Sequence, residues 1–234
     1  MKKLLIPCIV VLGATCVMAA KRKDIKDVDT DAFTSDTQVT PKGAGDNHVA
    51  LAWWIPKEFW MAILVRDKMT TQADKKAMLD ALSDVSLLAV VQADITHFGA
   101  MQFYSKQEIE TKMLLSYTDA DDKKHRLTPT QTFNPDLEIV LGIFKPILSA
   151  SMGNLGKNLH FYVLNDKQPS SARLLDPYLK GTINFNLTKR NGEHMTGDLE
   201  MPLNCLFIPR ECPNGKNAHI SWNYCPWTGK KLED

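Results

Sequence analysis

The sequence lacks the short motifs that announce most catalytic or cofactor chemistry. It has no Gly-x-Ser-x-Gly elbow, no Ser-x-x-Lys, no phosphate-binding glycine-rich loop and no His-Glu-x-x-His, and no two of its six histidines stand four residues apart. An excess of either charge is also missing, since 28 Lys and Arg face 27 Asp and Glu. That balance gives nothing for a nucleic-acid backbone to hold, so nucleic acid is not expected as a partner. No apolar run reaches the roughly 20 residues a membrane-spanning helix needs. Cysteine is scarce, with five in 234 residues.

The chain does carry an export signal. Met1-Lys2-Lys3 leads into the apolar run Leu4 to Leu12, which Pro7 interrupts, and small residues follow through Ala19-Ala20. This is the charged, apolar and small-residue pattern of a secretory signal peptide over residues 1–19, with cleavage expected after Ala19 and Ala20 as the neighbouring alternative. Losing Lys2 and Lys3 moves the formal charge from +1 to about −1. A periplasmic or secreted bacterial protein is expected. Lipid anchoring through Cys16 is the alternative, although Gly13-Ala14-Thr15 fits a lipoprotein triplet poorly. With 44% apolar residues, the remaining length of about 215 residues suffices for one real core and an appendage.

Residues 20–47 are polar, with Ile25, Val28, Phe33 and Val39 too sparse to set a period, and read as a flexible leader. An α+β domain is expected over 48–203. Val49 to Ile55 reads as a strand, Pro56 opens a helix carrying Phe59 and Ile63, Thr71 caps another, and Ser86 to Ile95 reads as a buried strand. Met113, Leu115 and Tyr117 alternate, as do His125 and Leu127 after a polar turn, which predicts a hairpin. A second hairpin joins Ile183, Phe185 and Leu187 to Met195, Leu199 and Met201. A two-residue Asn191-Gly192 turn would put these two apolar sets on opposite faces. A three-residue loop, Arg190-Asn191-Gly192, instead sets Leu187 opposite Met195 and gives one apolar face.

Between the hairpins, Asn134 as N-cap, Pro135 and two early acids open a helix running to about Met152, kinked at Pro146. Its apolar residues cover most of the circumference, so a central core helix is expected, against the alternative of a membrane-surface helix. Mixed elements without a βαβ rhythm predict a largely antiparallel sheet around it.

The tail, 204–234, resembles a zinc ribbon. Cys212-Pro213-Asn214-Gly215-Lys216 and Tyr224-Cys225-Pro226-Trp227-Thr228-Gly229-Lys230 are similar to its two knuckles, but Gly215 and Thr228 stand where each second thiolate belongs. The resemblance implies a degenerate ribbon in which Cys212 and Cys225 form a disulfide worth roughly 3 kcal/mol. Trp222, Tyr224 and Trp227 are then expected to pack the tail on the body. Zinc held by Cys205, Cys212, His219 and Cys225 is the alternative; otherwise no cofactor is expected.

Elsewhere, His97 and His160 occupy places where a histidine can face a cleft, against which stands their reading as structural histidines. Trp53, Trp54, Phe59 and Trp60 form the densest aromatic cluster, either core or the lining of a binding groove. The functional expectation is a non-catalytic domain binding a protein partner or envelope component. A hydrolase or metal-binding protein whose site assembles only in three dimensions is the alternative.

Overall fold

The apolar runs and alternating stretches fold into two larger antiparallel sheets, a two-stranded one in the tail, and six α-helices among the described residues, giving an α+β architecture. The computed structural model describes residues 20–43, 45, 47–167 and 173–232, so the expected signal peptide and Cys16 lie outside the described residues. In chain order the elements are α1 (Thr30–Thr37), β1 (Gln38–Val39), β2 (His48–Ile55), α2 (Lys57–Leu64), α3 (Gln72–Ala81), β3 (Val85–Ile95), β4 (Met101–Phe103), α4 (Lys106–Lys112) and β5 (Met113–Asp119). There follow β6 (Lys124–Leu127), β7 (Pro129–Thr130), α5 (Pro135–Ser151), α6 (Gly153–Gly156), β8 (His160–Asn165), β9 (Gly181–Thr188), β10 (His194–Met201), β11 (Arg210–Glu211) and β12 (Asn217–Ala218).

One sheet has the order β1-β2-β3-β8-β7, with β4 pairing the far end of β3. Its central strand β3 is buried without interruption from Val85 to Ala93, which explains a run with no polar alternation. The second sheet has the order β10-β9-β5-β6 and keeps the alternation of a half-covered sheet. Both expected hairpins form: Leu115 faces Leu127, and Leu187 faces Met195. Gly192 takes φ of +89° in the loop, as the three-residue connection requires.

The sheets meet at their edges, where Lys42 and Thr196 exchange backbone hydrogen bonds of 2.8 and 3.0 Å. Gly197 permits this approach, because a Cβ there would lie 2.4 Å from Val39 Cγ1.

The segment read as a flexible leader is folded in its described part. Asp29 caps α1, accepting from Asp31 and Ala32 N–H, and Phe33 is buried edge-on to Phe59 with centroids 5.5 Å apart. Thr37 Oγ1 accepts from Trp53 Nε1 at 3.1 Å, and Asp36 accepts from the Cys205 N–H at 2.7 Å. Backbone bonds of 2.9 Å run from Lys23 N to the Leu206 carbonyl and from Ile208 N to the Lys21 carbonyl. A few buried anchors and distant partners do here what periodicity does elsewhere. The main core accordingly extends past residue 203 to take in Cys205, Leu206, Phe207 and Ile220.

The helix α5 also departs from expectation. Asn134 caps it as expected and it continues through Pro146, but it is not central. Leu137, Val140, Leu141, Phe144 and Leu148 are buried, with Phe144 stacked on Trp60 at 3.6 Å between centroids. Ile139, Ile143 and Ile147 stay 67%, 43% and 60% exposed. Only one side of the helix meets the fold.

Beyond β8 the chain is pinned by a buried ionic cluster. Asp166, fully buried, accepts from Ser86 Oγ at 2.7 Å, from Leu175 N at 2.5 Å, and from Arg173 Nε and NH2 at 3.0 and 2.9 Å. Arg173 NH1 also donates to Glu58 at 2.5 Å. Burial raises the Asp166 carboxyl even beside this cation.

Candidate functional site

Three places could carry chemistry or binding, and the first is a polar network that the sequence did not suggest. The β2–β3 pairing sets His48 opposite Asp94, and His48 Nδ1 lies 2.7 Å from Asp94 Oδ1. A carboxylate only accepts, so Nδ1 carries the hydrogen and a neutral His48 keeps its lone pair on Nε2. Asp94 also accepts from Tyr104 Oη and from Arg190 NH1, both at 3.1 Å, and Tyr104 Oη accepts from Arg190 N at 2.8 Å. The Arg190 guanidinium lies 4.0 Å from the Tyr104 ring centroid and donates through Nε to Glu108 at 2.8 Å. That contact, with the capping box between Ser105 and Glu108, holds the Glu108 carboxyl down to about 2.

An oriented His-Asp pair is half of a general-base constellation, but the other half is missing. The His48 side chain has 0% exposure and, among the described residues, its Nε2 has no hydrogen-bond partner, so the basic atom is shut away from the surface. Burial lowers the His48 pKa despite Asp94. The network therefore ties the Arg190 loop to the end of β3. His97 and His160 do not join it as bases: His97 is exposed on the β3–β4 loop, and His160 Nε2 contacts the Tyr104 carbonyl at 3.0 Å.

The aromatic cluster does not line a groove. Trp53, Trp54, Phe59 and Trp60 are at most 4% exposed, because β2 is covered where Trp53 and Trp54 point to opposite faces and α2 packs its aromatic side inward. Trp53 and Trp60 both meet Phe59 edge-on, at 5.5 and 5.4 Å.

The second place is the tail. Its two turns differ by one residue: Gly215 N donates to the Cys212 carbonyl three residues back and Gly229 N to the Cys225 carbonyl four residues back, each at 2.8 Å, and both glycines have positive φ. The turns bring Cys212 and Cys225 together in one small buried cluster with Ala218 and Leu232, as free cysteines and not as the expected disulfide. Burial and donation to Cys225 push Cys212 up to about 11. Burial also opposes ionisation of Cys225, but hydrogen bonds from Cys212, from the Thr228 side chain and from the Trp227 and Thr228 N–H groups outweigh it and bring Cys225 to about 7.

The alternative zinc set is not assembled. Cys205 is in the main core, its thiol pushed far up by burial, and His219 Nδ1 pairs with Ser221 Oγ at 2.8 Å. Among the described residues no three His, Cys, Asp or Glu side chains gather as a metal would need, so the donors present do not fit zinc. The tail aromatics do not pack on the body either: Trp222, Tyr224 and Trp227 are 38%, 60% and 48% exposed. Ile220 in the core, and its N–H bonded to Asn204 Oδ1 at 3.0 Å, anchor the tail instead.

The third place is the outer side of α5. Ile139 and Ile143 form one wall of a groove of about 440 Å³, and Thr70, Asp74, Ala77 and Met78 around α3 form the other. Asp136 also lines the groove, and among the described residues neither Asp74 nor Asp136 is ion-paired. Ile147 extends the apolar stripe one turn further. No described helix is long and apolar enough to cross a membrane. Compared with family models, curated proteins and solved structures, the chain matches none of them.

Proposed function

We propose that this chain is an exported bacterial binding domain, periplasmic or secreted and not catalytic, which docks an apolar segment of a basic protein partner in the α3–α5 groove. The observation that carries the reading is the stripe of Ile139, Ile143 and Ile147, spaced at four residues on a helix whose opposite side is fully used by the core. Covering those three side chains is worth on the order of 3 kcal/mol, enough to contribute strongly to a helix-in-groove contact. Asp74 and Asp136, neither of which is ion-paired among the described residues, favour a cationic segment and disfavour an anionic membrane surface, which would need a basic rim.

The test uses fluorescently labelled helical peptides with one apolar face, one peptide with lysines and one with glutamates on the polar face. Anisotropy should show the lysine peptide binding at least about tenfold more tightly than the glutamate peptide, a difference of about 1.4 kcal/mol. Ile143→Asp should keep the native circular dichroism and lose that binding. Equal binding of both peptides, unchanged binding by the variant, preferential binding to phosphatidylglycerol vesicles, or dimerisation through the same face would each overturn the reading. Export is tested separately: the protein recovered outside the cytoplasm should begin at Ala20 or Lys21.

A further inference from the structure

The geometry points to a second binding site, a groove between α2 and α3 that takes one medium-chain carboxylate amphiphile. Its volume is about 460 Å³, within the size range of small-molecule sites. Lys57, Met61 and Val65 line it along α2 and its C-cap, at the four-residue spacing of one helix face, and Lys76, Leu79 and Asp80 line it along α3. Ile25 adds a third wall, on a turn that Arg66 pins by donating to the Lys26 and Val28 carbonyls at 3.1 and 2.5 Å. These walls are apolar and still open. Ile25, Met61 and Leu79 are only half-buried, and Val65 is 46% exposed.

Charge and length select the occupant. Lys57, Lys75 and Lys76 line the groove against one acid, Asp80, so its field is positive. Lys76 is paired with Asp80 and Lys75 Nζ donates to the Asp67 carbonyl, whereas Lys57 has no hydrogen bond or ion pair among the described residues. Lys57 is therefore the cation left to meet a carboxylate. From Lys57 to Val65 the helix runs about 12 Å, the reach of about ten bonds of extended chain. A ten-carbon carboxylate held at Lys57 thus lays its chain over Met61 and ends at Val65. A recess of this size admits one chain and not a bilayer surface. The helix α3 turns opposite faces to the two grooves, with Asp74, Ala77 and Met78 towards α5 and Lys75, Lys76 and Leu79 towards α2. One helix thus offers acid to a basic peptide on one side and lysine to an anionic amphiphile on the other, and either site can fail without the other.

The experiment titrates the full chain with decanoate, octanoate and decyltrimethylammonium by isothermal calorimetry, each below its micelle concentration. Decanoate should bind one to one, at least about tenfold more tightly than the ammonium of the same chain length. Removing two methylenes, as in octanoate, should weaken binding at least about fivefold. Lys57→Gln should weaken decanoate about threefold and leave the ammonium unweakened. Val65→Glu, at an exposed position, should keep the native circular dichroism and lose decanoate binding. Equal affinity for the two head groups, uptake that does not saturate, or unchanged decanoate binding by Val65→Glu would overturn the proposal. So would loss of decanoate binding in Ile143→Asp, which would move the ligand to the α3–α5 groove. Retention on phosphatidylglycerol vesicles that Val65→Glu abolishes, without binding of free decanoate, would overturn it in favour of a membrane surface.

Discussion

Replacing Arg173 with Met removes the cation from the cluster beyond β8 while keeping most of its packing volume. Asp166 and Glu58 have side-chain exposures of 0% and 12%, so neither can recover its hydration when the guanidinium goes. Breaking a buried ion pair from one side costs about 3 to 5 kcal/mol, because the remaining charge is stranded. Ser86 and the Leu175 N–H still serve Asp166, and the Arg173 side chain is itself 20% exposed. These features place the expected loss near the lower end, at about 3 kcal/mol.

In urea, with a slope of about 1 to 3 kcal/mol per molar, that loss should move the unfolding midpoint down by at least about 1 M. Tryptophan fluorescence can follow it, since Trp53, Trp54 and Trp60 are buried. The double variant Arg173→Met with Glu58→Met should be more stable than Arg173→Met alone, because Glu58 Oε2 already lacks a partner and would no longer be stranded as a charge. An Arg173→Met midpoint within about 0.2 M of wild type, or a double variant less stable than the single one, would refute this account of the cluster.

Three further outcomes follow from the same structure. Phe33→Ala should cost about 3 to 5 kcal/mol in urea unfolding, as for a core aromatic, whereas a flexible leader would give no change. On α5, Phe144→Ala should cost a similar amount and Ile139→Ala less than about 1 kcal/mol; comparable losses would show that the outer side is covered. Burial of neutral His48 lowers its folded pKa below the ordinary 6.5, so the unfolded chain binds the extra proton first. Stability should therefore be complete above that value and fall as pH drops through it, and His48→Gln should flatten this part of the profile measured by chemical denaturation.

Local signals were legible wherever a few neighbouring residues decide the outcome. Thr71 and Asn134 cap their helices as expected, and requiring one apolar face fixed the Leu187–Met195 register against the commoner Asn-Gly turn. The α+β class followed from the same patterns. What could not be read was which apolar surface finds a cover. The isoleucines at 139, 143 and 147 are as apolar as Leu137 or Leu141, and only the placement of α5 at the outside of the fold distinguishes them.

Long-range polar contacts were equally hidden. His48 meets Asp94 across 46 residues and Arg190 reaches it across 96, and neither spacing belongs to a motif. The N-terminal segment was missed because its buried residues Val28, Phe33 and Thr37 are few, and the partners of Asp36 and residues 21–23 lie far along the chain at 205–208. In the tail, the resemblance located two cysteines that do meet in one small cluster, but they stand there as free thiols and not as the disulfide it implied.

The pairing of residues 21–23 with 206–208, and of Asp36 with the Cys205 N–H 169 residues later, sets the order of assembly. A chain made from its N-terminus finds partners for Phe33 and Thr37 early, in Phe59 and Trp53, but completes the bonds to residues 205–208 only when nearly the last residues have emerged, because loop closure over such a span cannot be rewarded earlier. Premature termination near Met201 would then lose more than the tail. It would leave Asp36 and the backbone of residues 21–23 without their partners at 205–208, and present that segment of the unfinished chain to proteases.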